Sequence, residues 1–292
     1  MKRPSPLKLL FYVNLLIVLL LVGYKLYLNF YQPDFQALHA EQVDRIEGRL
    51  AQNDGDGFSF AVVGNINNSV GVFEEQIIPE LNQAGLDFMV SAGNAVSSGG
   101  EDKYRAIQGT LNRLTIPYLL TFGENEEENF GAFRFYEHFG PHFYSVNTPQ
   151  ARLIFLDSTG KTPWRWQMRW LKDLLGEEKE RPTFLFIGHP VLDPTEDAPF
   201  EQSGDFLTPL AFKNALLALA SDFGIDAIFS ANLSLYSDQT FGGVRFITTG
   251  GGGGLVLNDD TSFYHYVRVD VAADGTLSYA LKRMEARPNA LL

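Results

Sequence analysis

Cysteine is absent from this chain of 292 residues, which excludes disulfides and thiolate metal sites. Histidine is scarce: His39, His138, His142, His189 and His265 are the full set. Positive charge is also short, with 23 Lys and Arg against 35 Asp and Glu, for a net charge of −12. The deficit is uneven. Residues 1–32 hold Lys2, Arg3, Lys8 and Lys25 and no acid, so this end carries +4 and the remainder −16. A body this acidic repels phosphate backbones, which argues against DNA or RNA as a partner. Internal repeats are lacking, and Gly250–Gly254 is the one low-complexity segment.

What is present begins with a long apolar run. From Leu9 to Gly23 the chain is apolar apart from Asn14, and the run continues past Lys25 through Leu26, Tyr27, Leu28 and Phe30. The stretch from Leu7 to Phe30, 24 residues, is long enough to span a bilayer as a helix. Lys25 can snorkel to an interface, with Tyr24, Tyr27 and Tyr31 as anchors. Three of the four basic residues precede the run, so the N-terminus is expected in the cytoplasm and the remainder outside it. Tyr24-Lys25-Leu26-Tyr27 stands where a cleavage site would follow, so an uncleaved signal anchor is expected over a cleaved peptide.

Residues 33–57 read as a connector. Leu38, Val43, Ile46 and Leu50 fall at helical spacing, and Asn53-Asp54-Gly55-Asp56-Gly57 is a turn signal. This helix would pack on its own domain or pair with a second copy. Beyond it, residues 58–292 alternate. Strands are expected at 58–63, 88–92, 118–122, 153–156, 184–187, 227–229 and 244–248, and helices at 73–84, 104–114, 166–175 and 210–223. An antiparallel pair follows at 266–271 and 277–281, around the turn Asp274-Gly275. The alternation predicts a layered α/β domain.

Several predicted strands end in a glycine and a polar residue: Gly64-Asn65-Ile66-Asn67, Gly93-Asn94, Gly123-Glu124-Asn125, Gly188-His189-Pro190 and Ala231-Asn232-Leu233-Ser234. In order and spacing these resemble the signature of the calcineurin-like metallophosphoesterases, the group of purple acid phosphatases and cyclic-nucleotide phosphodiesterases. That signature runs Gly-Asp-x-His, Gly-Asp, Gly-Asn-His-Asp/Glu, His-x-Pro and Gly-His-x-His. Phe139-Gly140-Pro141-His142, Phe155-Leu156-Asp157-Ser158 and Thr249-Gly250-Gly251 match secondary landmarks. The resemblance covers residues 58 to about 283. It implies a two-sheet β-sandwich flanked by helices, here preceded by one transmembrane helix.

It also implies a two-metal site whose ligands this chain lacks. Asn65 stands for an aspartate, Asn67 for a histidine and Asn94 for the bridging aspartate. Glu124-Asn125 stands for asparagine-histidine, and Asn232 and Ser234 for the last two histidines. Gly188 takes the remaining ligand slot, with His189 one place off. Two +2 ions about 3.5–4 Å apart repel by roughly 17–19 kcal/mol at an effective dielectric of 20. Carboxylates offset that repulsion and neutral amides do not.

The expectation is a membrane-anchored pseudoenzyme with no cofactor. Its pocket, drawn from Asn65, Asn67, Asn94, Glu124, Asn125, His189, Asn232 and Ser234, would take a protein partner or a small polar ligand. The alternative is an active phosphoester hydrolase, using one oxygen-ligated Ca²⁺ or Mg²⁺ ion or His189 and Glu124 as an acid/base pair. Glu124, Glu126, Glu127 and Glu128 form an acidic run near the pocket mouth, read as a solvated loop, with repulsion of phosphates or attraction of a basic partner as the alternative. Gly250–Gly254 is either a close approach to the pocket floor or a flexible turn.

Overall fold

The computed structural model describes residues 6–30, 38–53, 55–148, 150–176, 181–193 and 206–284. Lys2, Arg3, Tyr31, Asp54 and the first residues of the connector lie outside the described residues. Helix α1 (Pro6–Phe30) forms one compact unit, and the chain from residue 37 onward another. Within α1, Pro6–Tyr27 is long and apolar enough to cross a membrane. At ~1.5 Å per residue its 22 residues exceed the ~30 Å of a hydrocarbon core. The one amide in the run is satisfied inside the helix, where Asn14 Nδ2 donates to the Leu10 carbonyl (3.0 Å).

The second unit opens with α2 (Leu38–Gln52) and β1 (Gly57–Val63). A π-type turn over Val70–Ile77 then leads into α3 (Ile78–Gln83), where sequence periodicity predicts one continuous helix. β2 (Phe88–Ser91), α4 (Glu101–Leu111), β3 (Tyr118–Leu120), the short α5 (Glu124–Glu127) and α6 (Gly131–His138) come next. They are followed by β4 (Tyr144–Asn147), β5 (Arg152–Leu156), α7 (Trp164–Gly176), β6 (Thr183–Ile187) and α8 (Leu210–Phe223). The chain continues with β7 (Ala227–Ser230), β8 (Tyr236–Phe241), β9 (Val244–Thr249), β10 (His265–Ala272) and β11 (Leu277–Arg283).

Two sheets result, ordered β11-β10-β1-β2-β3 and β4-β5-β6-β7-β9-β8. The central strands β1-β2-β3 and β5-β6-β7-β9 pair in parallel and are almost wholly buried. Burial on both faces is why they read as unbroken apolar runs. Between the sheets lies a phenylalanine core. Phe60 stacks on Phe88 (4.9 Å), Phe155 on Phe186 (5.0 Å) and Phe186 on Phe229 (5.3 Å). Phe60 also meets Phe184 edge-on (5.2 Å), tying one sheet to the other. A second core fills the space between the larger sheet and helices α7 and α8, with Leu171, Leu175, Leu216 and Ile228 buried in it. The architecture is the expected two-sheet sandwich flanked by helices.

Helix α2 packs on its own domain. Its Ile46 and Leu50 enter the inter-sheet core. Its polar side chains finish the edge of the smaller sheet: Leu120 N–H donates to His39 Nε2 (3.1 Å) and Tyr118 N–H to Gln42 Oε1 (3.2 Å). The open side of β3 is thereby covered, the usual protection of an edge strand. His39 sits among the rings of Phe135, Phe139 and Tyr144.

Burial pushes the His39 imidazole down to about 3 and that of His265 down to about 4. Both lie below the ~6.5 of an unfolded histidine, so the unfolded chain binds more protons between those values. The stability these groups contribute is complete above pH ~6.5 and is lost as the pH falls through that window, by about 1.4 kcal/mol per pH unit for each. Thermal unfolding should show a melting temperature that drops steadily from pH 7 to pH 5. His39→Gln keeps an acceptor for Leu120 and should flatten that slope; an unchanged slope would remove His39 from the account.

Candidate functional site

The strand ends meet at one edge of the sandwich. A side chain at Gly93 (φ 129°) would stand 3.2 Å from Gly188 Cα and 3.7 Å from Gly123 Cα, so three loops touch through glycines. The asparagines that follow bend the chain. Asn65 (φ 53°), Asn67 (52°), Asn94 (55°) and Asn232 (62°) all occupy the left-handed region. Asparagine enters that region far more readily than most residues, because its short amide bonds to local backbone. Each therefore meets a backbone requirement before its side chain does anything.

Those side chains bond to one another. The Asn125 backbone N–H can only donate, and it donates to Asn94 Oδ1 (3.0 Å). That fixes the amide and turns Asn94 Nδ2 towards Asn65 Oδ1 (3.1 Å) and Asn232 Oδ1 (3.2 Å). The Asn232 backbone N–H independently donates to Asn65 Oδ1 (3.1 Å), so both orientations agree. Asn125 Nδ2 donates to Asn67 Oδ1 and to the Val96 carbonyl, each at 3.0 Å. Five asparagines from four strand-end loops form one cluster. Its centre is an NH₂ group facing two carbonyl oxygens.

Glu126 is the main correction to the sequence reading. It is not part of a solvated acidic loop but is buried, with 1 % of its surface exposed. Its Oε1 accepts from the N–H groups of Ala95 (2.6 Å) and Val96 (3.2 Å), and its Oε2 from those of Asn94 and Gly123 (3.0 Å each). Burial pushes its carboxyl up to about 7, against these donors, which pull it down. With both oxygens accepting twice, the geometry is that of the carboxylate. The signal was its place three residues after Gly123, where a glutamate reaches back to the start of a helix.

The remaining predicted residues lie around the cluster. His189 is buried, with Nδ1 2.8 Å from Ser158 Oγ and Nε2 3.8 Å from the exposed Glu124 carboxylate. The His189 backbone N–H also donates to Ser158 Oγ (3.1 Å). Ser234 takes part through its backbone, its carbonyl accepting from the Ser262 hydroxyl (2.6 Å). The glycine run is the close approach rather than a free turn. Gly252 N–H donates to the Gly64 carbonyl and Gly254 N–H to that of Asn65 (2.8 Å each), and a side chain at Gly254 would collide with Asn67 Nδ2. His138 and His142 are packing residues: His138 pairs with Glu101 (2.9 Å) and His142 stacks on Phe122 (4.2 Å).

These donors do not fit a pair of divalent ions. Among the described residues no three His, Asp or Glu side chains gather at one point. Asn94, which would bridge the metals, points a hydrogen-bond donor into the centre. The amide oxygens of Asn65, Asn67, Asn94 and Asn232 are already accepting.

No protein-family model matches the chain, and no curated protein matches it in sequence. Solved structures do. A purple acid phosphatase from yellow lupin (Lupinus luteus) seeds superposes with a TM-score of 0.61 at 11% identity, over 77% of this chain and 51% of its own. This chain thus spans about half the length of that phosphatase. A dimetal phosphatase from Danio rerio gives 0.57 at 11% identity, over 79% of this chain and 100% of its own. GAP50, the anchor in the inner membrane complex of Plasmodium, gives 0.53 at 14% identity, over 80% and 92%. At these identities the likeness is one of fold.

Two substitutions test the geometry. In Glu126→Gln either orientation sets an NH₂ against two backbone N–H groups, leaving buried donors unpaired at about 1–3 kcal/mol each. Asn94→Asp restores the residue of the phosphoesterase signature but sets a carboxylate against the oxygens of Asn65 and Asn232. Both should lower stability in chemical denaturation by at least ~2 kcal/mol. An Asn94→Asp protein as stable as the parent would refute the orientation deduced for this amide.

Proposed function

From a chain that carries the calcineurin-like metallophosphoesterase fold, we propose a function without that fold's metal chemistry. The protein is a membrane-anchored binding protein: its N-terminus lies in the cytoplasm, helix α1 crosses the bilayer, and the sandwich lies outside. It needs no cofactor, and its strand-end surface holds a protein partner or a small polar ligand. The observation that carries this reading is the Asn94 amide. A neutral NH₂ group bonded to two amide carbonyls occupies the centre of the strand-end cluster. Two-metal hydrolysis depends on ions there to generate hydroxide and clamp phosphate oxygens. The anchoring role agrees with the apolar span in α1, with the basic residues that precede it, and with the role of GAP50 as an anchor in the inner membrane complex of Plasmodium.

A second reading rests on His189 facing Glu124 at 3.8 Å. Such a pair could move a proton at an ester without a metal. The full chain in detergent should release no product above background from an aryl phosphate or an aryl phosphodiester, with Mn²⁺, Zn²⁺, Mg²⁺ or Ca²⁺ supplied, and elemental analysis should find no stoichiometric metal. Turnover abolished by chelator overturns the proposal. Turnover that ignores chelator but disappears in His189→Ala selects the acid/base reading. In intact cells, protease added from outside should digest the sandwich domain; protection of that domain would reverse the proposed orientation.

A further inference from the structure

The rim of the amide cluster, we infer, is a docking surface for a segment of a partner protein that carries Lys or Arg between large apolar side chains. The inference rests on the binding reading above and adds the chemistry of the partner.

Phe130 is the sharpest observation. Its backbone is left-handed (φ 63°, ψ 24°), an outlier for a bulky aromatic, and its ring is 89 % exposed. Burial of the ring therefore does not compensate for the strain. The turn is held from beneath. Tyr104 Oη donates to the carbonyls of Glu126 (2.8 Å) and Gly131 (3.2 Å), and Arg134 Nη1 to those of Gly99 (2.9 Å) and Asn129 (2.7 Å). A strained residue that the surrounding hydrogen bonds over-determine is what functional sites display. Phe133, 66 % exposed, follows one helical turn later.

A second apolar group adjoins the same cluster. Leu255 and Leu257, each 79 % exposed, follow Gly254, which is bonded to Asn65 and packed on Asn67. Monomeric domains seldom expose large apolar side chains in contiguous groups, and such groups mark interaction sites.

Charge selects the occupant. Glu124 and Glu128 are exposed in the segment that leads to Phe130, and among the described residues the one ion pair of either is that of Glu124 with His189. Glu127 beside them is held by Lys161. The chain beyond residue 32 carries −16. That field repels anionic lipid headgroups and would set a second copy's glutamates against these, whereas it attracts Lys and Arg.

The test pans a phage-displayed library of random linear peptides against the full chain in phosphatidylcholine nanodiscs. Enriched peptides should combine Lys or Arg with Leu, Phe or Trp. Synthetic versions should bind about tenfold more weakly to Leu257→Ser and Phe133→Ser, and with a shallower salt dependence to Glu124→Gln/Glu128→Gln. Phe130→Gly should weaken binding while raising the melting temperature by about 2–4 °C, since glycine relieves the left-handed strain. That pairing of lost binding with gained stability is not what a structural role for Phe130 would give. Absence of enrichment, or binding that ignores these substitutions, overturns the inference. So does binding of the full chain to phosphatidylserine vesicles that Phe133→Ser abolishes, or a concentration-dependent dimer that Leu257→Ser breaks. Phosphoester turnover in the same preparation would instead count against the non-catalytic reading, so the two fail separately.

Discussion

A buried backbone N–H must find an acceptor, and at this edge of the sandwich four of them find the same one. The Glu126 carboxylate gathers the N–H groups of Gly123, Asn94, Ala95 and Val96, from the loops after β3 and β2. In a two-metal enzyme, ions and their ligands pull such loops together. Here one carboxylate joins two of the loops, and the amide cluster continues the link to those after β1 and β7. The sheets themselves do not require this convergence; their cores close with phenylalanines well away from it. Without the carboxylate the loops would leave several polar groups buried and unpaired, a cost comparable to the whole net stability of a domain.

The choice of asparagine follows from two constraints acting on the same residues. Four of the five cluster asparagines lie at positive φ, so most side chains are excluded there on backbone grounds alone. Alanine or serine would remove the metal ligands but would also strain the turns. Asparagine keeps the turn, and its amide supplies both a donor and an acceptor, which neither a carboxylate nor a neutral imidazole offers in the same place. A cluster built of such groups can close on itself with no net charge. Asparagines at these positions therefore keep the bend of the strand ends while adding no charge of their own.

How much of this the sequence discloses depends on what each element buries. The parallel strands are covered on both faces, so their apolar runs stand out against the polar loops. The edge strands β4 and β8 are half solvated and carry Ser145, Asn147, Ser237, Asp238 and Gln239, so no run marks them. The candidate pocket was legible through spacing, because the turn glycines and asparagines keep their distances from the strands. Glu126 stands among four glutamates, set apart locally only by its place three residues after Gly123, and the fold shows that it is the one that points inward. His39 was hidden: its role is to accept from a strand eighty residues away, and nothing local encodes that partner.

A floor built this way also limits what can bind to it. The amide oxygens of Asn65, Asn67, Asn94 and Asn232 already accept, and Asn94 Nδ2 and Asn125 Nδ2 already donate twice. A polar ligand landing there would have to exchange existing hydrogen bonds for new ones, which yields little net free energy. Binding energy at this site must therefore come from surface that is not yet satisfied. That surface is the rim, where Phe130, Phe133, Leu255 and Leu257 stand in water and the carboxylates of Glu124 and Glu128 are exposed. Under the binding proposal, recognition then lies on the loops that surround the strand ends rather than at their hydrogen-bonded centre.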